Sequence, residues 1–245
     1  MRLCGVGLTG IAKRPDMNGY DYEYLKRTAT GAAIGMAQEL DLPSPKNITC
    51  VKPSGTLSKI MDTTEGIHKP LGKHIFNNVQ FSKFDPIVEV LRDANYNVVN
   101  HPTDDSGVLI TFPVEWIDVP FHKVNGKEVN LDTAIEQLEK YKLIQTSWTQ
   151  QNTSVTISYD PTEVPAIIDW LLDNWDCYVG VSFIYRTDPT KTAKDLGYLY
   201  LPQEVVDEQT FRNYVQQLTP VSLENANSFD EIMGEDCATG ACPIR

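Results

Sequence analysis

The chain has 245 residues, 41% of them hydrophobic, with a formal net charge of −12 and a sequence pI near 4.7. So large an acidic excess argues against non-specific attraction to nucleic acid or to an anionic membrane surface, although backbone amides can still hold a small anion. No apolar run is long enough to span a bilayer, and the opening Met1-Arg2-Leu3-Cys4-Gly5 has no signal-peptide pattern, so no membrane partner is expected.

In chain order, Leu25, Ala29, Ala32, Ala33, Met36 and Leu40 repeat on one face and predict a helix over 22–40, stopped by Leu42-Pro43-Ser44-Pro45. A short strand over 48–51, a turn over 52–56 and a short helix from Leu57 follow. Next come a strand over 77–82, a helix over 86–94 capped by Asp85 with Pro86 at its first position, and a strand over 108–112. Residues 131–148 form a helix with Ile135, Leu138 and Tyr141 inward and Asp132 at the positive end. A strand over 154–159, an apolar helix over 165–175, a buried strand over 179–184 and a helix over 205–217 complete the pattern. This alternation predicts an α/β fold with parallel pairing.

The five cysteines (Cys4, Cys50, Cys177, Cys237 and Cys242) are odd in number and scattered, which fits a reducing, cytoplasmic compartment better than a secreted disulfide framework. Cys50 and Cys177 fall in apolar stretches and read as small core residues. The four histidines (His68, His74, His101, His122) show no metal-ligand spacing, so no metal is expected.

Four segments bear on chemistry. Lys52-Pro53-Ser54-Gly55-Thr56-Leu57-Ser58 lies between a strand and a helix start. Gly55 permits close backbone approach, and Ser54, Thr56 and Ser58 supply hydroxyls beside free helix N–H groups. It reads either as a phosphate cradle or as a plain turn with Ser/Thr capping. Gly5-Val6-Gly7-Leu8-Thr9-Gly10 matches a dinucleotide-binding pattern, but too little chain precedes it and the next helix begins too far beyond it. Glu65 and His68 form an acid and base without a nucleophile, so a structural turn is expected there. At the end, Cys237-Ala-Thr-Gly-Ala-Cys242-Pro-Ile-Arg245 sets two thiols among small residues. That is either a thiol–disulfide shuttle or two ordinary cysteines in a frayed end.

Taken in order, Gly5-Val-Gly-Leu-Thr-Gly-Ile11, Val51-Lys-Pro-Ser-Gly-Thr-Leu-Ser-Lys59, Glu65-Gly-Ile-His68, Gln145-Thr-Ser-Trp148, Asn152-Thr-Ser-Val-Thr-Ile157, Val181-Ser-Phe183 and Asp236-Cys-Ala-Thr-Gly-Ala-Cys-Pro-Ile244 resemble the adenosylcobalamin-dependent (class II) ribonucleotide reductases, and most nearly the monomeric ribonucleoside-triphosphate reductases. The resemblance implies the C-terminal half of a ten-stranded α/β barrel over 1–218, with a flexible tail over 219–245. It implies conversion of ribonucleotides to 2′-deoxyribonucleotides by a thiyl radical that adenosylcobalamin generates. Pro53, Ser54, Gly55, Thr56, Leu57 and Ser58 would hold the substrate phosphates. Cys237 and Cys242 would re-reduce the active-site disulfide and be reduced in turn by thioredoxin.

The family's radical loop, Asn-Pro-Cys-Gly-Glu, has no counterpart here, and Cys4, Cys50 and Cys177 stand in other contexts. The radical cysteine, and most of the cobalamin site, are therefore expected on an upstream partner carrying the other half-barrel. A half-barrel exposes sheet edges, and the interface covering them is expected to exceed ~2,000 Å². Two other readings remain open. One is a non-catalytic nucleotide-binding or regulatory module. The other is a free-standing thiol–disulfide oxidoreductase, against which stands the lack of a C-x-x-C at a helix start.

Overall fold

A computed structural model describes residues 4–221. In chain order its elements are β1 (Val6–Gly7), a one-turn 3-10 helix (Ile11–Lys13), α1 (Gly19–Glu39), β2 (Thr49–Cys50), α2 (Gly55–Ile60), β3 (His74–Ser82), α3 (Ile87–Asp93), β4 (Val98–Asn100), β5 (Gly107–Glu115), β6 (His122–Val124), β7 (Lys127–Val129), α4 (Ala134–Ser147), β8 (Thr156–Tyr159), a second 3-10 turn (Pro161–Glu163), α5 (Val164–Asp173), β9 (Ser182–Tyr185), β10 (Gln203–Val205) and α6 (Glu208–Gln217). The described residues divide into two compact units, the first comprising 4–70, 116–122 and 130–188, the second 71–115, 123–129 and 189–221.

The first unit is α/β with parallel pairing, as the alternation of elements predicts. β1 pairs in parallel with β2, Val6 opposite Thr49. The chain after β2 continues the array: Val51 bridges Thr153 in parallel, its N–H donating to the Asn152 carbonyl at 3.2 Å while its carbonyl accepts from Ser154 N–H at 3.0 Å. β8 then pairs in parallel with β9, Ile157 opposite Phe183. β1, β2, the 152–159 segment and β9 thus lie side by side.

α4 is the core helix of this unit. Ala134, Leu138, Tyr141 and Ile144 are fully buried at the spacing of one helical face and pack with Tyr22, Trp148, Ile157, Ile167 and Trp170. Each large apolar side chain so buried contributes roughly 1.5–3 kcal/mol. α4 starts at a capping box in which Thr133 Oγ1 accepts from Glu136 N–H and Glu136 Oε2 accepts from Thr133 N–H. Asp132, placed by sequence at the helix's positive end, instead holds Lys69 Nζ at 2.6 Å.

Three expectations change. α1 begins three residues earlier than the apolar repeat indicates, because Asn18 and Asp21 form its capping box. Leu25 and Ala29 of the predicted face pack on the core beside the buried Tyr22, but towards the helix end Ala37 is buried and Met36 and Leu40 are more than half exposed, so that end of the face is turned from the predicted one. The segment read as a buried strand is β9, exposed at all four positions because β8 is its only strand partner among the described residues. On the apolar helix α5 only Ile167 and Trp170 are buried; Ile168 and Leu172 stand 52% and 66% exposed.

The second unit departs from parallel pairing. Its four-stranded sheet runs β10-β3-β5-β4 with every neighbour antiparallel, β3 matching β5 from His74 opposite Glu115 to Ser82 opposite Gly107. β4 and β5 are joined by a short loop, which brings antiparallel neighbours together without the crossover that parallel strands need. Pro113 is tolerated in β5 because it lies beyond the stretch that β4 pairs. Val88 and Leu91 of α3 pack on Val108 and Ile110, and Phe211 of α6 packs on the His74 and Phe76 rings. β6 and β7 meet at Asn125-Gly126, both at positive φ (50° and 80°), the chemistry of a two-residue hairpin turn. Beyond α6, Thr219 N–H still donates to the Ala94 carbonyl and Val221 packs on the α3 cluster.

Candidate functional site

Open parallel sheets offer ligand sites beyond the carboxyl ends of their strands. In the first unit, β1 runs into Leu8-Thr9-Gly10 and the adjacent β2 runs into Lys52-Pro53-Ser54, so two neighbouring strands deliver Thr9 and Ser54 to the same end. Three hydroxyls meet there. Thr9 Oγ1 lies 2.9 Å from Ser54 Oγ and 2.9 Å from Ser58 Oγ, and the two serine oxygens are 2.8 Å apart.

Ser54 sets this turn apart from a plain capped one. It sits at the N-cap of α2 in the left-handed region (φ 50°, ψ 30°), and its side chain makes no capping bond. Its hydroxyl goes instead to Thr9 and Ser58. A non-glycine residue in that conformation costs roughly 1–2 kcal/mol, a strain that proteins retain where surrounding structure enforces it, commonly at functional sites. The plain Ser/Thr-capped turn is therefore not what forms. Gly55 opens α2 with no heavy atom within 4 Å of where a Cβ would stand, so the backbone there faces open space. Thr56 and Leu57 follow in the first turn, Leu57 exposed, while Ser58 is completely buried. Pro53 is exposed, and Lys52, exposed as well, lays its Nζ over the backbone of Gly5.

The segment behind the three hydroxyls is held through Thr9. Thr9 Oγ1 donates to the Thr64 carbonyl at 2.9 Å and accepts from Gly66 N–H at 3.0 Å. Gly66 needs its positive φ of 51°, and any Cβ there would meet the Lys52 carbonyl at 2.6 Å. The signal for Thr9 lay in Gly5-Val-Gly-Leu-Thr-Gly10, which the structure shows to be β1 and its carboxyl-terminal turn rather than a dinucleotide crossover, since α1 starts only at Gly19.

Gln145-Thr-Ser-Trp148 and Asn152-Thr-Ser fasten β2 to the end of α4. Trp148 Nε1 donates to the Cys50 carbonyl at 2.8 Å, and Thr49 Oγ1 donates to the Trp148 carbonyl at 2.6 Å. Gln150 Oε1 accepts from Ile48 N–H, Gln145 Oε1 accepts from Thr153 N–H, and the Thr149 and Thr153 hydroxyls are 2.8 Å apart. These polar side chains fix the strand that carries Ser54; none reaches the three hydroxyls.

Glu65 and His68 do not work as a pair. Glu65 holds Lys59 at 2.8 Å, while His68 Nε2 accepts from Thr156 N–H at 3.0 Å. Burial lowers the His68 pKa below its ordinary 6.5, against a weaker raising influence of Glu65, which suits a neutral acceptor. Cys50 is buried with Sγ 3.8 Å from the Val6 carbonyl, and Cys177 packs at the edge of the α4 core, where burial raises its pKa. Cys237 and Cys242 lie outside the described residues. Among the described residues no three His, Cys, Asp or Glu side chains converge as a metal site, and no helix is long and apolar enough to cross a membrane.

The fold is similar to part of a class II ribonucleotide reductase. The chain superposes on the crystal structure of a B-12 dependent (class II) ribonucleotide reductase with a TM-score of 0.73 and 20% identity, over 89% of this chain and 29% of that one. In sequence it is 26% identical to a probable adenosylcobalamin-dependent ribonucleoside-triphosphate reductase of Dictyostelium discoideum, over 99% of this chain and 32% of that protein. It is 28% identical to the adenosylcobalamin-dependent ribonucleoside-triphosphate reductase of Levilactobacillus brevis, over 83% of this chain and 27% of that protein. No family model matches. The resemblance read from the motifs therefore extends over nearly the whole chain, which spans about a third of the length of these curated relatives.

Proposed function

We propose that this chain is the phosphate-holding and thiol-delivering part of an adenosylcobalamin-dependent ribonucleoside-triphosphate reductase. The radical cysteine of that enzyme lies on polypeptide outside these 245 residues. The observation that carries the reading is the reach of the similarity, which takes in 99% of this chain but 32% of the Dictyostelium relative.

Exposed apolar surface supports a partner. In the first unit Leu57, Ile60 and Met61 on and after α2, Ile168 and Leu172 on α5, and Ile184 and Tyr185 on β9 are all more than half exposed. Among the described residues β1 and β9 are the outer strands of the parallel array, and their outer edges are where an upstream half-barrel adds its own strands. Closing that surface is the work of the partner, in an interface above ~2,000 Å².

In this reading the Pro53–Ser58 turn, through the Ser54 hydroxyl and the first N–H groups of α2, holds the substrate phosphates, so that the ribose is presented to the partner's radical site. Cys237 and Cys242 act as a dithiol. They hand two electrons and two protons to the disulfide left by each turnover, become a disulfide themselves, and are re-reduced by thioredoxin in the cytoplasm. Adenosylcobalamin supplies the radical chemistry when bound to the complete enzyme, and no residue of this chain is assigned to it. Replacing Cys237 or Cys242 by Ser in the assembled enzyme is expected to abolish repeated turnover with thioredoxin while sparing turnover by a small dithiol. Equal turnover with both reductants would contradict the shuttle.

A further inference from the structure

We infer that Thr9 is a positioning residue of the cradle: its hydroxyl fixes Ser54 and Ser58 as hydrogen-bond donors and so readies Ser54 for a phosphate oxygen. The inference rests on the phosphate reading above and assigns a role to a residue on a different strand.

Counting protons leads to it. A hydroxyl has one proton and two acceptor lone pairs. The Thr64 carbonyl can only accept, so the proton on the 2.9 Å contact between them is the one from Thr9. Gly66 N–H can only donate, so it fills one Thr9 lone pair. Towards the two serines Thr9 is therefore an acceptor alone, with a single lone pair to offer. Ser58 is completely buried, and its proton must stay within the ring of hydroxyls, on Thr9 or on Ser54. Ser54 is half-buried beside the open face of Gly55.

When Ser58 donates to Thr9, Ser54 can donate to Ser58 in the empty ring, and its proton can turn outward to an arriving acceptor without leaving the buried Ser58 hydroxyl unpaired. A phosphate oxygen, which only accepts, needs that donor. Thr9 also ties three segments at one atom: the turn after β1, the serines after β2, and the Thr64–Gly66 stretch that packs under Lys52. That tie resists relaxation of Ser54 out of its left-handed conformation.

Titration calorimetry of inorganic tripolyphosphate into the 245-residue chain tests this. Thr9→Val keeps the shape and removes the hydroxyl; it is expected to weaken binding roughly tenfold, the scale of one hydrogen bond to a charged group. Thr9→Ser keeps the hydroxyl and is expected to bind within about twofold of the unmodified chain. Amide hydrogen exchange at Gly66 should quicken in Thr9→Val and not in Thr9→Ser. If Thr9→Val does not fold, Ser58→Ala probes the same ring without touching the backbone anchors, with an expected loss of about threefold. Undiminished binding by Thr9→Val or Ser58→Ala, or a Thr9→Ser chain as weak as Thr9→Val, overturns the role of Thr9 alone. Failure of the unmodified chain to bind tripolyphosphate contradicts the phosphate reading, and this inference with it.

Discussion

β5 and β9 are both apolar strands, yet they end in opposite environments. In β5, Val108, Leu109 and Ile110 are between 0% and 4% exposed, covered by strands on both sides and by α3. In β9, Phe183, Ile184 and Tyr185 are 38%, 57% and 68% exposed. Composition alone does not separate Val-Leu-Ile from Phe-Ile-Tyr; neighbours do. β5 finds its neighbours within the second unit. β9 has one strand beside it among the described residues, and in the proposed enzyme its other neighbour belongs to another polypeptide.

The contrast is sharpest under substitution. Ile110→Ala opens a cavity in a covered sheet and is expected to cost about 2–5 kcal/mol in denaturant unfolding. Ile184→Ser is expected to change the stability of the isolated chain by less than about 0.5 kcal/mol, as surface changes do, while disrupting association with the upstream partner. A large stability loss in Ile184→Ser would mean that β9 is covered within this chain. Gly55→Val is a subtler probe, because the structure leaves room for the added side chain. Folding should persist while tripolyphosphate binding weakens, and unchanged affinity would remove Gly55 from the cradle.

The smallest expected effect concerns pH. His68 is held neutral by burial, so its pKa in the folded chain is below the 6.5 of an exposed histidine. As pH falls through 6.5 the unfolded chain takes up this proton before the folded chain does. The contribution is thus fully present above pH 6.5 and is lost as pH falls towards the lowered folded value. Compared with His68→Gln in denaturant melts, the unmodified chain should lose more stability on acidification; parallel pH profiles would show that His68 carries none of it.

Much of the fold was legible from local pattern. The alternation of strand and helix announced the parallel array of the first unit, and the spacing of Leu138 and Tyr141 marked the core helix. The errors have physical causes. The start of α1 was misplaced because Asn18 and Asp21, polar residues, set it, and the far end of its apolar face because Met36 and Leu40 are exposed while Ala37 is buried. The antiparallel sheet was missed because strand order depends on long-range pairing, although Asn125-Gly126 offered a local hairpin signal. At the candidate site, Ser54, Gly55 and Ser58 could be read from one contiguous turn. Thr9 could not, because its role comes from lying on the neighbouring strand, 45 residues from Ser54.

The central claim is that this chain carries the phosphate cradle and the thiol pair while the radical is generated elsewhere. It is tested most directly by measuring deoxyribonucleoside triphosphate formation with adenosylcobalamin and thioredoxin. The purified chain alone should form none, and adding the upstream polypeptide should bring turnover. Turnover by the chain alone, or none from the stable complex of the two, would contradict it.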